Sequence, residues 1–293
     1  MKHNSVFAAV RDAAFKHKLL SVGTSVAVIN YISRLFTPIE SLGMEIQTIQ
    51  SAMAGVKRID AFLAQPERKM LAEEGASMPR GDVVVSHVTF GYDERTVLRD
   101  LSFTVKSGEQ VTLVGRTGAG KSTVFKLLMG LYQPKAGTIT IGGVDVSQIT
   151  DRQRRGCIGC VEQHFARVPG TVLDQITLGD PRISREMAQN AARLAGLDAT
   201  IDALPAAYDT PCSDGLFSQG EWQLLCIARA AAADPAVLLL DEITANLDAE
   251  TEARVLEALR RASVGRTVLS ISHRVYEKLG GRVIKIKALD EGE

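Results

Sequence analysis

The pattern of apolar and polar positions divides the chain into an N-terminal helical part and a C-terminal part in which strands and helices alternate. Residues 19–33 form an uncharged run that ends at Arg34, and residues 41–63 keep apolar side chains at helical spacing. Residues 64–82 mix proline, glycine and charged residues, which is typical of a linker. We therefore place a domain boundary near residue 80.

The alternation that follows this boundary predicts an α/β fold with a parallel sheet. The predicted strands are residues 83–90, 97–105, 109–115, 138–143, 157–163, 236–242 and 267–273, and the predicted helices are residues 121–131, 185–197, 220–232 and 249–263. The last three strands are short and apolar, which indicates that both of their faces are buried.

Composition excludes few functions. A chain of 293 residues favours two domains, or one large domain with an appendage. Lysine plus arginine and aspartate plus glutamate both number 34, so the net charge is zero. A general binder of nucleic acid or of anionic membranes would show a basic excess, so no nucleic-acid partner is expected.

Hydropathy alone leaves two interpretations of the run at residues 19–33. It is shorter than the about 20 residues that cross a bilayer. Extended through residues 34–46, it fits a helix that leaves an apolar phase near Arg34 and Glu40. It fits equally well an amphipathic helix that packs on the main domain.

The four cysteines offer a weak redox or metal signal. Cys157 and Cys160 have the C-x-x-C spacing, but no second cysteine or histidine pair supports zinc. The segment also resembles a buried strand, on which positions three apart face opposite sides. Cys212 and Cys226 are isolated, so we expect four reduced thiols.

Residues 115–123, GRTGAGKST, match the phosphate-loop pattern G-x-x-x-x-G-K-[ST] between a predicted strand and a predicted helix. Three glycines let the backbone wrap tightly, so that successive N–H groups face phosphate oxygens. Lys121 is expected to reach the β- and γ-phosphates, and the Ser122 hydroxyl to ligate Mg²⁺. The predicted phosphate-binding residues are Gly115, Arg116, Thr117, Gly118, Ala119, Gly120, Lys121, Ser122 and Thr123.

Two acidic residues follow the apolar run at residues 236–240. Asp241 and Glu242 stand where a buried strand would emerge from the core. Asp241 is expected to hold Mg²⁺, directly or through water, and Glu242 to polarise the attacking water. Together with the phosphate loop, this pair predicts a site that hydrolyses a nucleotide.

The motifs and their order resemble the nucleotide-binding domain of ATP-binding cassette (ABC) proteins. After the phosphate loop come Gln163 in CVEQHF, then FSQGEWQ, LLLDE and ANLD, and finally His273 in SISHR. FSQGEWQ corresponds to the family signature, which usually contains L-S-G-G-Q. The resemblance covers roughly residues 83–290 and implies a P-loop NTPase cassette with a parallel-sheet core, an antiparallel β subdomain and a helical subdomain.

The resemblance also implies roles for single residues. In this family two cassettes face each other head to tail, and each ATP lies between one phosphate loop and the other signature. Gln163 is then expected to contact Mg²⁺ or the attacking water, and His273 the γ-phosphate, beside the catalytic Glu242. Tyr92 stands where the family stacks an aromatic ring on adenine, and Asp248 would cross the dimer interface.

The signature residues Ser218, Gln219, Gly220 and Glu221 are expected to act on the partner's ATP, because a helix begins there and helix N-termini bind anions. Gln219 replaces the usual first glycine and Glu221 the usual glutamine, and both changes should weaken that contact. Alternatively, Glu221 only complements the helix dipole. An intact phosphate loop beside an altered signature favours a heterodimer, with a homodimer of two slow sites as the alternative.

Residues 19–63 resemble the last transmembrane helix of an ABC exporter half and its cytosolic extension, in LLSVGTSVAVINYISRLFTPIESL and AGVKRIDAFL. The resemblance favours a membrane helix and implies a partial transmembrane domain at residues 1–64, a linker at 65–82 and the ABC domain at 83–293. The chain has room for one of the family's six helices. It is therefore expected to be part of a plasma-membrane exporter, with the cassette on the cytoplasmic side.

The implied function is ATP hydrolysis that drives export, with ATP and Mg²⁺ bound by the chain and a second half-transporter as partner. The contacts that select the exported substrate would lie on membrane helices that this chain lacks. Two alternatives stay open, a soluble ABC ATPase without transport, and a truncated or degenerate cassette that binds ATP without productive transport.

Overall fold

The structure, a computed structural model, describes residues 22–64, 78–162, 166–213, 215–241, 247–271 and 280–287. The chain divides into two compact units, Met1–Lys69 and Met70–Glu293. This division lies some ten residues before the boundary expected near residue 80, which stays a prediction.

The first unit contains one long described helix, α1 (Val22–Leu63), with Pro38 inside it. Large apolar side chains of α1, among them Tyr31, Met44 and Phe62, are more than half exposed. Among the described residues, no helix combines the length and the hydropathy that crossing a membrane requires. The partial transmembrane domain at residues 1–64 stays a prediction, and residues 1–21 of it lie outside the described ranges.

The described part of the second unit has nine strands and seven α-helices. The strands are β1 (Val83–Tyr92), β2 (Arg95–Val105), β3 (Gln110–Val114), β4 (Ala136–Ile141), β5 (Val144–Asp145), β6 (Ile158–Val161), β7 (Val237–Leu240), β8 (Thr267–Ser270) and β9 (Arg282–Lys285). The helices are α2 (Lys121–Leu128), α3 (Asp151–Cys157), α4 (Val172–Thr177), α5 (Arg185–Ala195), α6 (Asp198–Asp202), α7 (Gln219–Ala231) and α8 (Ala249–Ser263), with a 3₁₀ turn at Ala207–Asp209.

These strands form two sheets. An antiparallel sheet has the order β2-β1-β4-β5, and a parallel sheet has the order β6-β7-β8-β3-β9. The parallel core, the antiparallel β part and the helical part between β6 and β7 confirm the predicted cassette fold.

The parallel sheet separates two apolar clusters, and β7 supplies both. Its four residues are buried, as the apolar run predicted. Val237 and Leu239 pack with the antiparallel sheet and α2, whereas Leu238 and Leu240 pack with α4, α5, α7 and α8. A central parallel strand is covered on both faces, so its sequence shows no alternation.

Short polar motifs start several of the helices. α3, α4 and α7 each begin with a capping box, in which an N-cap hydroxyl and a side chain three residues later satisfy each other's backbone N–H. Asp248 caps α8 through the N–H groups of Glu250 and Thr251. Local sequence therefore determines where these helices start.

The prediction for residues 157–163 was partly wrong. Cys157 is the last residue of α3, and the strand begins at Ile158, so Cys157 and Cys160 do not lie on one strand. The capping box of Thr150 and Gln153 starts a helix that the apolar periodicity did not reveal. The expectation of free thiols is confirmed for all four cysteines.

Candidate nucleotide-binding site

The phosphate loop lies between β3 and α2, as its motif predicted. Gly118 and Gly120 have φ values of 82° and 91°, in the left-handed region that favours glycine. A Cβ atom on Gly120 would also lie 2.6 Å from Leu98 Cδ2 and 3.1 Å from Val97 Cγ1, whereas one on Gly118 would meet no atom of the described residues within 4 Å. Gly120 is therefore required by backbone conformation and by packing against β2.

The side chain of Lys121 lies along the loop that precedes it. Its ammonium group donates hydrogen bonds to the carbonyl oxygens of Gly115 at 2.9 Å and Arg116 at 3.1 Å. The N-cap of α2 is Gly120, which has no side chain that could cap the helix. The uncapped N–H groups of a helix start and a nearby ammonium group are the donor set that a phosphate group requires.

The carboxyl ends of three neighbouring strands lie at the same edge of the parallel sheet. Val161 of β6 pairs with Leu240 of β7, and Leu240 pairs with Ser270 of β8. The N–H of Asp241 extends this ladder by donating to the carbonyl of Val161 at 3.0 Å. Asp241 is half-buried directly after β7, as the motif predicted.

The three predicted catalytic residues, Gln163, Glu242 and His273, lie outside the described residues. In the chain they follow β6, β7 and β8 respectively.

Tyr92 belongs to an aromatic cluster beside the phosphate loop. Its ring packs edge-to-face against Phe90 at 5.1 Å and Tyr132 at 5.3 Å between centroids. Its hydroxyl lies 3.4 Å from Thr123 Oγ1, and Lys126 Nζ lies 5.5 Å from the ring centroid. The cluster positions Tyr92 next to the last residue of the phosphate motif, while its predicted contact with adenine stays a prediction.

The signature residues form the first turn of α7, and Ser218 is its N-cap. The Glu221 carboxylate accepts hydrogen bonds from the N–H and the hydroxyl of Ser218, both at 2.8 Å. In return, Ser218 Oγ accepts from the N–H of Glu221 at 3.3 Å. Glu221 therefore belongs to the capping box of α7, and its carboxylate accepts the hydrogen bond that the Ser218 hydroxyl donates. The effect of its charge on the partner's ATP stays a prediction.

Gly220 packs against α8. A Cβ atom at this position would lie 2.2 Å from Thr251 Cγ2, which is too close for any side chain without displacement. Gln219 at the neighbouring position is exposed. Packing between helices thus accounts for Gly220, while the fold itself tolerates a side chain at position 219.

Asp248 has a local structural role that the motif did not predict. The hydroxyl and the N–H of Thr251 hydrogen-bond to its carboxylate and hold the pKa of Asp248 below its ordinary value. Asp248 is therefore the N-cap of α8, and its predicted place at a dimer interface stays a prediction.

The sequence analysis did not identify two contacts that Trp222 makes near the signature, one with Arg167 and one with Phe217. Arg167 places its guanidinium 4.5 Å from the ring centroid of Trp222, and Phe217 packs edge-to-face on the same ring at 5.4 Å. Phe217 precedes the N-cap and Trp222 is the fourth residue of α7, the spacing of a hydrophobic staple. That spacing is visible in the sequence, but Arg167 lies 55 residues before Trp222.

The thiols offer no reactive site. Burial raises the pKa of Cys157 to about 11 and the pKa values of Cys160 and Cys226 to about 12, and it also raises the pKa of Cys212. Thiolate is the reactive and metal-binding form, so these cysteines fit structural roles.

The described part of the chain contains no group of three or more His, Cys, Asp or Glu side chains that could hold a metal ion. Nucleotide-bound Mg²⁺ does not require one, because it keeps several waters and takes only one or two protein ligands besides the phosphates. Ser122 in the phosphate loop and Asp241 at the sheet edge fit that sparse donor set.

Comparisons with known proteins agree with this geometry. A family model described as "ABC transporter" matches residues 98–245. An uncharacterised ABC transporter ATP-binding protein of Bacillus subtilis, YfiC, is 36% identical over 261 residues, which cover 87% of this chain and 43% of YfiC. An ATM1-type heavy metal exporter of Novosphingobium aromaticivorans is 36% identical over 280 residues, covering 93% of this chain and 45% of the exporter.

A solved structure of a bacterial Atm1-family ABC exporter with ATP bound superposes with a TM-score of 0.67 at 32% sequence identity. The match covers 92% of this chain and 49% of that chain. The chain spans less than half the length of the curated relatives it matches.

Proposed function

This chain belongs to the ABC transporter family, and on that premise we propose that it binds and hydrolyses ATP as part of an exporter in the plasma membrane. Its cassette would lie on the cytoplasmic side and pair with the cassette of a second half-transporter. Dimerisation on ATP binding and release after hydrolysis would drive export. The relatives named as exporters support this direction of transport.

One observation carries the proposal. The same unit holds a phosphate loop whose helix α2 starts at a glycine N-cap, and the first turn of the signature helix α7. Each of these features is half of an ATP site that two cassettes complete together. A cassette of this kind therefore acts with a partner.

The residues divide the chemistry as follows. Lys121 and the N–H groups of the loop would bind the β- and γ-phosphates of the substrate ATP. Ser122, Asp241 and Gln163 would hold Mg²⁺, which neutralises charge on the phosphates. Glu242 would take a proton from the attacking water.

Two further contacts complete this site. His273 would stabilise charge on the γ-phosphate in the transition state. Tyr92 would stack on the adenine ring. Both roles rest on the matching positions of the family's motifs.

The decisive experiment measures binding of labelled ATP and phosphate release by the purified chain with Mg²⁺, comparing the parent with Glu242→Gln. We expect Glu242→Gln to bind ATP but to hydrolyse it about 10²–10⁴-fold more slowly, the usual contribution of a general base. Glu186→Gln, an equivalent change on the exposed first turn of α5, should leave both quantities unchanged.

The outcomes separate the alternatives. Parent protein that binds no labelled ATP would refute the proposal. ATP binding with equally slow hydrolysis by the parent and Glu242→Gln would favour a degenerate cassette without productive transport. An active ATPase that stays soluble without detergent would favour an ABC ATPase that does not transport.

We also propose that the partner is a different half-transporter. The Glu221 carboxylate engages the Ser218 hydroxyl, and its negative charge stands at the helix end that would face the partner's γ-phosphate. Two copies of this chain would therefore make two weakened sites. Glu221→Gln removes the charge and keeps a side chain that can still form the capping box.

Glu221→Gln should thus increase ATP-dependent self-association, measured by analytical ultracentrifugation. Glu252→Gln, another acidic change within the first turn of a helix, should leave it unchanged. Equal self-association of parent and Glu221→Gln would count against a weakened signature and for a homodimer.

A further inference from the structure

Residues 166–172 are here called the connecting segment. The first residues of this segment are attached to the signature helix α7. Arg229 of α7 donates hydrogen bonds to the carbonyl of Ala166 at 2.9 Å and to the carbonyl of Gln175 at 2.6 Å. The Gln175 side chain accepts from the N–H of Val168 at 3.1 Å and donates to its carbonyl. The segment is therefore fixed to α4 and to the C-terminal half of α7.

The other end of the connecting segment is bonded to the chain that leads into the signature. Val172 donates its N–H to the carbonyl of Thr210 at 3.0 Å, and Cys212 donates to the carbonyl of Gly170 at 2.9 Å. Thr171 and Pro211 form an antiparallel bridge between these two hydrogen bonds.

Arg167 joins the same segment to the start of α7. Its guanidinium stacks on the indole of Trp222, whose side chain is only 2% exposed. Phe217 packs on the same indole and directly precedes the N-cap Ser218. A staple of this kind fixes the angle at which the chain enters the helix, so Arg167 bears on the residue pair that orients Ser218.

These contacts leave little freedom between the two ends of the segment. Along the chain, the segment starts three residues after Gln163. Packed and hydrogen-bonded elements shift as units and deform little internally. A displacement at the start of the connecting segment is therefore passed to α7 and is not absorbed by the segment.

We propose that Arg167 is a positioning residue that, through Trp222, couples occupancy of this chain's own nucleotide site to the orientation of the signature end of α7. This inference rests on the proposed function, in which Gln163 senses the chain's own nucleotide and Ser218 faces the partner's. It links the two ATP sites of the assembly through a contact between a cation and an aromatic ring.

The chain provides its own reporter, because Trp222 is its single tryptophan. Titration of the full chain with Mg²⁺ and ATP, excited at a wavelength selective for tryptophan, should change the Trp222 emission. The midpoint should match the dissociation constant measured separately with labelled ATP. This emission change is a readout that a purely structural role of Arg167 would not affect.

Three variants test whether the effect depends on the positive charge at position 167, on the guanidinium group itself and on the position of the arginine in the chain. Arg167→Gln should bind labelled ATP within twofold of the parent, yet lose at least two thirds of the ATP-induced emission change. Arg167→Lys keeps a cation and should retain more than half of it. Arg185→Gln is the matched control, because Arg185 lies 5.9 Å from the ring of Tyr208 and pairs with Asp209, away from Trp222, and it should behave like the parent.

Three results would overturn the inference. One is a full emission change in Arg167→Gln with intact ATP binding, and another is ATP binding by the parent without any change at Trp222. If circular dichroism shows that Arg167→Gln is not folded, Arg167→Met, which keeps the aliphatic stem, replaces it. A full emission change with intact ATP binding in Arg167→Met would then overturn the inference. The third is no binding of labelled ATP by the parent, which refutes the proposed function itself and is recognised by the binding assay alone.

Discussion

Alanine at position 220 is expected to force α7 away from α8, because a Cβ atom there would lie 2.2 Å from Thr251 Cγ2. Carbon atoms in favourable contact are about 3.5–4.0 Å apart. Thr251 cannot easily turn aside, because β-branched side chains in helices have few rotamers and its hydroxyl and N–H bind Asp248. The two helices must therefore separate, or the cap of α8 must break.

The magnitude follows from two opposing effects. Overpacking of this kind costs about 1–3 kcal/mol, and because this contact is so short we take the upper end, about 3 kcal/mol. Alanine in place of glycine within a helix returns about 1 kcal/mol. We expect Gly220→Ala to lower the free energy of unfolding by about 2 kcal/mol, which corresponds to about 4–8 °C in Tm for a domain of this size.

Thr251→Ser is the matched background for this change. It removes the Cγ2 methyl group and keeps the hydroxyl, whose Oγ1 would lie 3.6 Å from the new Cβ atom. In this background Gly220→Ala should no longer destabilise, so the two changes should show a coupling energy of about 2–3 kcal/mol in a double-mutant cycle.

Urea and thermal unfolding of the parent, both single variants and the double variant would measure this coupling. Labelled-ATP binding serves as a control, because the phosphate loop is untouched and should bind equally well in all four proteins. A coupling energy below about 0.5 kcal/mol, the usual scatter for independent sites, would refute packing as the reason for glycine at this position.

The remaining predictions concern the phosphate loop, acid stability and the thiols. Gly120→Ala should reduce labelled-ATP affinity and Tm more than Gly118→Ala, because both positions have positive φ but only position 120 lacks room for a Cβ atom; equal losses in filter binding and thermal unfolding would contradict this. Hydrogen bonds and charge from two arginines lower the pKa of Asp180 from 3.8 to about 2. The contribution of the Asp180 carboxylate to stability is therefore complete above pH 3.8 and is lost as the pH falls through about 2. Acid titrations should show that the parent and Asp180→Asn differ in stability at pH 6 and converge near pH 2. Burial raises the pKa of Cys157 to about 11 and of Cys226 to about 12, so mass spectrometry should find both far less alkylated by iodoacetamide in native than in urea-unfolded protein, and equal rates would contradict the buried positions.

Features encoded by neighbouring residues were predictable. The cassette fold was implied by the resemblance of the motif order to the ABC family, whereas two local patterns, the glycine spacing of the phosphate loop and the apolar run of β7, predicted the loop and a buried strand of the sheet. Each depends on backbone conformation or burial within a few residues, which local sequence determines directly. Elements with little apolar periodicity were missed, among them α3. The sequence does contain the two residues of its capping box, Thr150 and Gln153.

The tertiary structure alone decided which distant residues meet. Gly220 opposes Thr251, and Arg167 covers the ring of Trp222, across separations of 31 and 55 residues that no local pattern encodes. It also decided that the Glu221 carboxylate accepts a hydrogen bond from the Ser218 hydroxyl. The residues alone allowed either an interaction with the helix dipole or a negative charge that weakens binding of the partner's ATP. The physical reason is that such contacts depend on how whole helices pack, and packing is a property of the folded chain that periodicity along it does not contain.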